Sequence, residues 1–164
     1  MKKLFLLFAL MLGAFSAYGQ TGADVVNKYK GCKNVAYVNT DVDAAKGSLA
    51  EVESEMKAAT EGVIDKAFID KFVAGVKGVK SLETVVIPEE SVALLNDVKT
   101  DVSKLSEKGY MVVEDNQVEG SAVGELALAK VEGTTIKELV FLTPIKENKA
   151  YALCDMRGEI SIGR

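Results

Sequence analysis

The chain has no histidine and no tryptophan, and its 164 residues include only two cysteines and two prolines. Without histidine there is no Ser-His-Asp or Cys-His activation of a nucleophile and no histidine-ligated metal site. Two cysteines with no histidine beside them are too few ligands for a zinc centre. Aromatic residues make up 7% of the chain, which leaves little from which to build a sugar-stacking platform. Tyr29, Tyr37, Tyr110 and Tyr151 alternate with apolar residues and read as core or cross-strand packing. Gly75-Val76-Lys77-Gly78 lacks both the length and the Ser/Thr of a phosphate-binding loop, and no stretch has the oxygen spacing of an EF-hand. Basic residues are also short: 20 Lys+Arg stand against 24 Asp+Glu, with the signs interspersed. That charge pattern excludes a nucleic-acid footprint and makes anionic membranes poor partners.

The first 19 residues carry the clearest signal. Lys2 and Lys3 lead into an apolar run from Leu4 to Phe15, and small residues follow in Ala17-Tyr18-Gly19. A charged start, a short apolar stretch and small residues describe a bacterial-type secretory signal peptide, cleaved after Gly19 or after Ala17. The run is shorter than the ~20 residues of a spanning helix, and no later segment reaches that length. No cysteine follows it directly, as lipid attachment would require. The expectation is therefore a periplasmic or secreted domain over residues 20–164, without a stable membrane anchor after cleavage. Losing two lysines leaves 18 basic against 24 acidic residues, a net charge of −6.

Cys32 and Cys154 are a candidate disulfide in an oxidising compartment, where closing so long a loop adds about 4–5 kcal/mol in the chain-entropy model. Cys154 sits within the apolar pattern Tyr151-Ala152-Leu153-Cys154, where a buried free thiol is an equally natural reading.

Along the mature region, residues 22–31 suggest a short helix or turn and residues 34–40 a strand. Ala45, Leu49, Val52, Met56, Ala59 and Val63 recur at helical spacing, weakened by Gly47 and Gly62. Phe68, Ile69, Phe72, Val73 and Val76 mark a second helical stretch ending at Gly75 or Gly78. Residues 82–87 read as a strand closed by Pro88. Glu89 and Glu90 open the clearest helix, whose stripe is Val92, Leu95, Val98, Val102 and Leu105 and whose cap is Gly109. Strands follow at 110–114, 122–131, 136–142 (closed by Pro144) and 149–156, with a turn at Asp115-Asn116 and a last run around Ile160 and Ile162. Spacings this tight make the C-terminal half an antiparallel meander. The expected fold is α+β, a two-layer sandwich of five to six mainly antiparallel strands with two to three helices on one face.

Several stretches resemble the domain of unknown function 4252 family of small exported bacterial proteins. They are NKYKGCKNVAYVNTDV, KSLETVVIP, LLNDVKTDVSKLSEKGYMVVED, IKELVFL and YALCDMRGEISI. The most family-like are Lys108-Gly109-Tyr110 before a strand, and Met156-Arg157-Gly158-Glu159-Ile160. Because the family has no established activity, the resemblance transfers no catalytic residue. It implies an envelope-signalling or stress-regulatory setting, and this chain departs from the family's many lipoproteins by lacking their lipid-attachment cysteine.

The acidic candidates read as structural. Asp41 and Asp43 precede a helix and suit capping. Glu51, Glu53 and Glu55 do not converge on one helix face. Ser81, Ser91 and Ser103 fall at segment ends or on polar faces. The expected function is a non-catalytic exported module, without cofactor or metal, that binds an envelope protein or supports envelope signalling. The alternatives are a periplasmic small-ligand carrier, which needs an enclosed apolar cavity, and a carboxylate-dependent hydrolase, which needs two acids converging in a cleft.

Overall fold

The computed structural model describes residues 20–43, 49–74, 76–114 and 125–161. The elements run α1 (Gly22–Tyr29), β1 (Ala36–Asp41), α2 (Leu49–Ala59), α3 (Lys66–Ile69, continued by a π-helical turn over Asp70–Ala74), β2 (Val79–Pro88) and α4 (Val92–Lys104, tightened into a 3-10 turn over Leu105–Lys108). Then come β3 (Met111–Val112), β4 (Leu126–Glu132), β5 (Thr135–Ile145) and β6 (Ala150–Ser161). The six strands form one antiparallel sheet in the order β1-β2-β6-β5-β4-β3. The α+β class, the strand count and the C-terminal meander are those expected from the sequence. The signal segment, Ala45, Gly47, Gly75, the Asp115-Asn116 turn and Ile162 lie outside the described residues.

The placement of the helices differs from the expectation. Successive strand residues point to opposite faces, and both faces of β2, β5 and β6 are apolar. Leu82, Val86, Leu139, Phe141, Ala152, Cys154 and Met156 pack with Val52 and Met56 of α2 and with Phe68, Ile69, Phe72 and Val73. Their neighbours Val85, Ile87, Val140, Leu142 and Leu153 pack with Val25, Val26 and Tyr29 of α1 and with Leu95, Val98 and Val102 of α4. Helices thus cover both faces, giving three layers where the sequence suggested two. The unbroken runs Leu139-Val140-Phe141-Leu142 and Ala152-Leu153-Cys154 carry the physical reason, since a strand buried on both sides loses its polar alternation.

Local side chains set several element ends, although Glu89 and Glu90 lie in the turn before α4 and do not open it. Thr21 and Asp24 form a reciprocal capping box at the start of α1. Ser91 precedes α4 at the cap position without a side-chain hydrogen bond to the helix, and Gly109 ends its tightened last turn at φ 87°. Phe72 stacks on Phe141 with ring centroids 4.9 Å apart, fixing the π-helical turn to β5.

Pro88 closes β2 as its last residue, whereas Pro144 is the penultimate residue of β5, which runs on to Ile145. Pro88 pairs with Ala150 and Pro144 with Tyr151. Each stands past the last described pairing on its other side, Ala36–Val86 and Leu126–Leu142 respectively. Past those pairings, a missing N–H costs no ladder bond among the described residues. The run at Ile160 likewise continues β6 through Gly158. There a Cβ would stand 2.1 Å from Gly78 O, so glycine permits the close crossing of β2 and β6.

Candidate functional site

Three carboxylates point from the strands towards the α1–α4 layer. Glu83 of β2 lies opposite Asp155 of β6, and Glu138 of β5 lies opposite Arg157 of β6. Arg157 binds Glu83, and its Nε donates to Asp155 Oδ2 at 2.9 Å. Tyr37 OH donates to Glu83 Oε1 at 2.6 Å from β1. Tyr110 OH donates to Glu138 Oε2 from the segment after α4.

The N-terminus of α1 closes this group from above. Ala23 N–H donates to Glu138 Oε1 and Gly22 N–H to Tyr110 OH, each at 3.3 Å. A carboxylate at the positive end of a helix is the favourable arrangement of charge and dipole. The contact is so close that a Cβ on Gly22 would stand 2.6 Å from Glu138 Oε1 and 3.0 Å from Asp155 Oδ1.

Asp155 is the unusual member. Its side chain is fully buried, and Oδ1 has no hydrogen-bond donor. Burial and the neighbouring Glu138 push its carboxyl up to about 7, against the pull of Arg157. Burial and the bond to Glu138 push the Tyr110 hydroxyl far above its usual range.

A second clamp joins α1 to α4. Tyr29 OH donates to Asp101 Oδ2 at 2.6 Å, and Lys28 Nζ binds the same oxygen. Burial alone would raise the Asp101 carboxyl, but the bonds from Lys28 and Tyr29 outweigh it and hold the group below its usual range.

A groove of about 400 Å³ runs along α4 past Lys99, Ser103 and Glu107, and larger ones lie at the end of the sheet where β5 turns into β6. Two open grooves flank that turn. One, of about 760 Å³, is lined among others by Lys71, Glu89, Glu125, Lys146 and Tyr151. The other, of about 770 Å³, runs past Asn34, Tyr37, Thr60, Glu61 and Glu90. Lys149 and Ala150 border both. Lys149 adopts φ 47°, a left-handed conformation that a non-glycine residue holds only when its surroundings impose it. Asn148 Nδ2 braces the turn by donating to Val63 O at 2.9 Å.

Comparison of the chain with protein-family models, curated proteins and solved structures finds no match.

The residues singled out in the sequence are dispersed. Asp41 ends β1 and Asp43 lies in the turn after it, while Glu51 and Glu55 are exposed on α2. Ser103 Oγ donates to Lys99 O, and Ser81 is half-buried in β2. Cys32 and Cys154 are both free. Cys32 packs against the α1–α4 layer, whereas Cys154 is buried in the opposite core beside Thr84 Oγ1 at 3.7 Å, so the sheet separates the two sulfurs. Burial also pushes the Cys154 thiol up to about 12. Among the described residues no group of three or more acids and cysteines is placed to hold a metal ion. No helix among them is long and apolar enough to cross a membrane.

The carboxylates that do converge are Glu83, Glu138 and Asp155, which sequence reasoning passed over. Their signal was available: each is a single acid inside an apolar strand, in SLETVVI, IKELVFL and LCDMRG. An acid at an inward strand position requires a partner.

Proposed function

We propose that the chain is an exported, non-catalytic accessory module that binds a protein partner in the bacterial envelope through the β5–β6 end of its sheet. One observation carries this reading. The large depressions are open and charged, and they flank a braced turn whose last residue before β6, Lys149, is held in a left-handed conformation. An open, mixed-charge surface on a rigid strand end suits a polypeptide better than an enclosed small molecule. The resemblance of the sequence to a family of exported envelope proteins agrees with that setting.

The burial of Glu138 and Asp155 beneath Gly22 weighs against this pair as the two cleft acids that the hydrolase alternative needs. The carrier alternative keeps one favourable observation, since each groove has the volume of a small-ligand site.

The test places a photocrosslinking residue at position 149 and, as a control, at Glu132 beside the β4–β5 hairpin at the other end of β5. The expected result is one envelope protein captured from position 149, absent from position 132, and lost when Lys146→Glu and Lys71→Glu are added. Equal capture from both positions, or no capture together with a small molecule that raises the melting temperature, overturns the proposal.

A further inference from the structure

The buried acid pair has a role that the partner-binding surface does not use. Asp155 Oδ1 is enclosed and lacks a donor, although it faces Glu138 and the backbone of Gly22. An unpartnered charged oxygen in a closed site is costly. A proton on Asp155 resolves the fault, because the carboxylic acid then donates to the Glu138 carboxylate beside it. Glu138 in turn receives Ala23 N–H and Tyr110 OH, and Tyr110 receives Gly22 N–H. The proton therefore completes a chain of bonds running from β6 through β5 to the first turn of α1.

We propose that Asp155 and Glu138 share one proton that latches the N-terminus of α1 onto the sheet, and that losing it to solvent releases this first turn. The groups facing the pair are few. Glu83 stands opposite Asp155 on β2 and is itself held by Tyr37 of β1. Arg157, on the same strand as Asp155, binds both Glu83 and Asp155 and is the one cation bound directly to the group among the described residues. Tyr110 comes from beyond α4, and α1 contributes the two N–H donors. With Asp155 ionised, three carboxylates face one guanidinium. Two of them lie against Gly22, which has no side chain to hold water between them and the helix. Opening α1 admits water to both.

The sign follows from the direction of the shift. An acid raised in the folded state binds a proton that the open state has already given up. Closure is therefore strongest at low pH, weakens as pH rises, and levels off once pH passes the folded value near 7.

Hydrogen–deuterium exchange on the exported protein, corrected for the intrinsic pH dependence of exchange, tests the latch. Between pH 5.5 and pH 8 the opening of α1 is expected to increase on the order of tenfold, while α4 stays unchanged. Asp155→Asn keeps a donor towards Glu138 and is expected to remove the pH dependence while α1 stays closed. Carboxyl-carbon NMR of the unmutated protein supplies a reading that needs no variant: the Asp155 carboxyl is expected to titrate near 7. Overturning results are α1 protection that does not change with pH, a pH dependence that survives in Asp155→Asn, or an Asp155 carboxyl that titrates near 4.

Discussion

Single side chains decide the chemistry available to this molecule. Tyrosine is an instructive case. Tyr29, Tyr37 and Tyr110 each carry their ring in or against apolar surroundings while the hydroxyl donates to Asp101, Glu83 and Glu138 respectively. The sequence suggested packing alone, because alternation reports where a ring lies and not what its hydroxyl meets. The cysteines separate in the same way by surroundings. Cys32 is half-exposed and Cys154 fully buried with a raised thiol. A thiol-reactive chromogen applied to the native protein is expected to titrate one sulfur promptly, at Cys32. The second is expected to appear only after denaturation, even for protein prepared under oxidising conditions. Prompt titration of two thiols, or of none, would contradict the separation of the cysteines by the sheet.

At the scale of elements, α1 is short, only eight residues, and is too brief to persist without its surroundings. It is held by the capping box at Thr21, by Val25 and Val26 in the core, by the Asp101 clamp, and by the contact of Gly22 with the acid pair. Gly22→Ala would drive a Cβ to 2.2 Å from Val140 Cγ2 as well as onto Glu138, and is expected to destabilise the fold by about 1–3 kcal/mol, as overpacked sites do. Urea denaturation measures that loss, and a variant as stable as the parent would show that α1 docks elsewhere. Most elements were legible in the sequence because their signals are local: helical spacing in α2 and α4, the glycine cap at Gly109, and strand runs ending in turns. The sequence extended α2 to Val63, whereas the helix ends at Ala59, where Thr60 bonds back to Met56 O and Gly62 turns at φ 84°. The acid cluster was not legible as a cluster, because Glu83, Glu138 and Asp155 come from three strands and meet only through sheet register.

Across the whole molecule, β6 joins the two halves of the chain. It pairs with β2 on one side and β5 on the other, and its side chains enter both cores. The connection between β2 and β6 spans about sixty residues, from Pro88 to Ala150, so the first half of the sheet cannot be completed until the end of the chain arrives. Ending the chain at Lys149 is expected to abolish the cooperative thermal transition, not merely to lower its midpoint. Calorimetry of the shortened chain provides the check, and a residual two-state transition would show that β1 and β2 are stabilised without β6. The three-layer arrangement belongs to this scale as well. It was hidden because a helix records which of its own sides is apolar, but not which face of a distant sheet it will cover.

Pro88 and Pro144 bear on what happens when many copies share a crowded compartment. A strand that outruns its neighbour offers bare amide hydrogens on which another chain can begin to polymerise. At the β5–β6 end β2 and β5 each carry an imino acid just past the last pairing among the described residues, and lose a donor there. The surface proposed to receive a partner thereby offers an incoming strand fewer donors at these two positions, so copies that meet there have less backbone through which to pair.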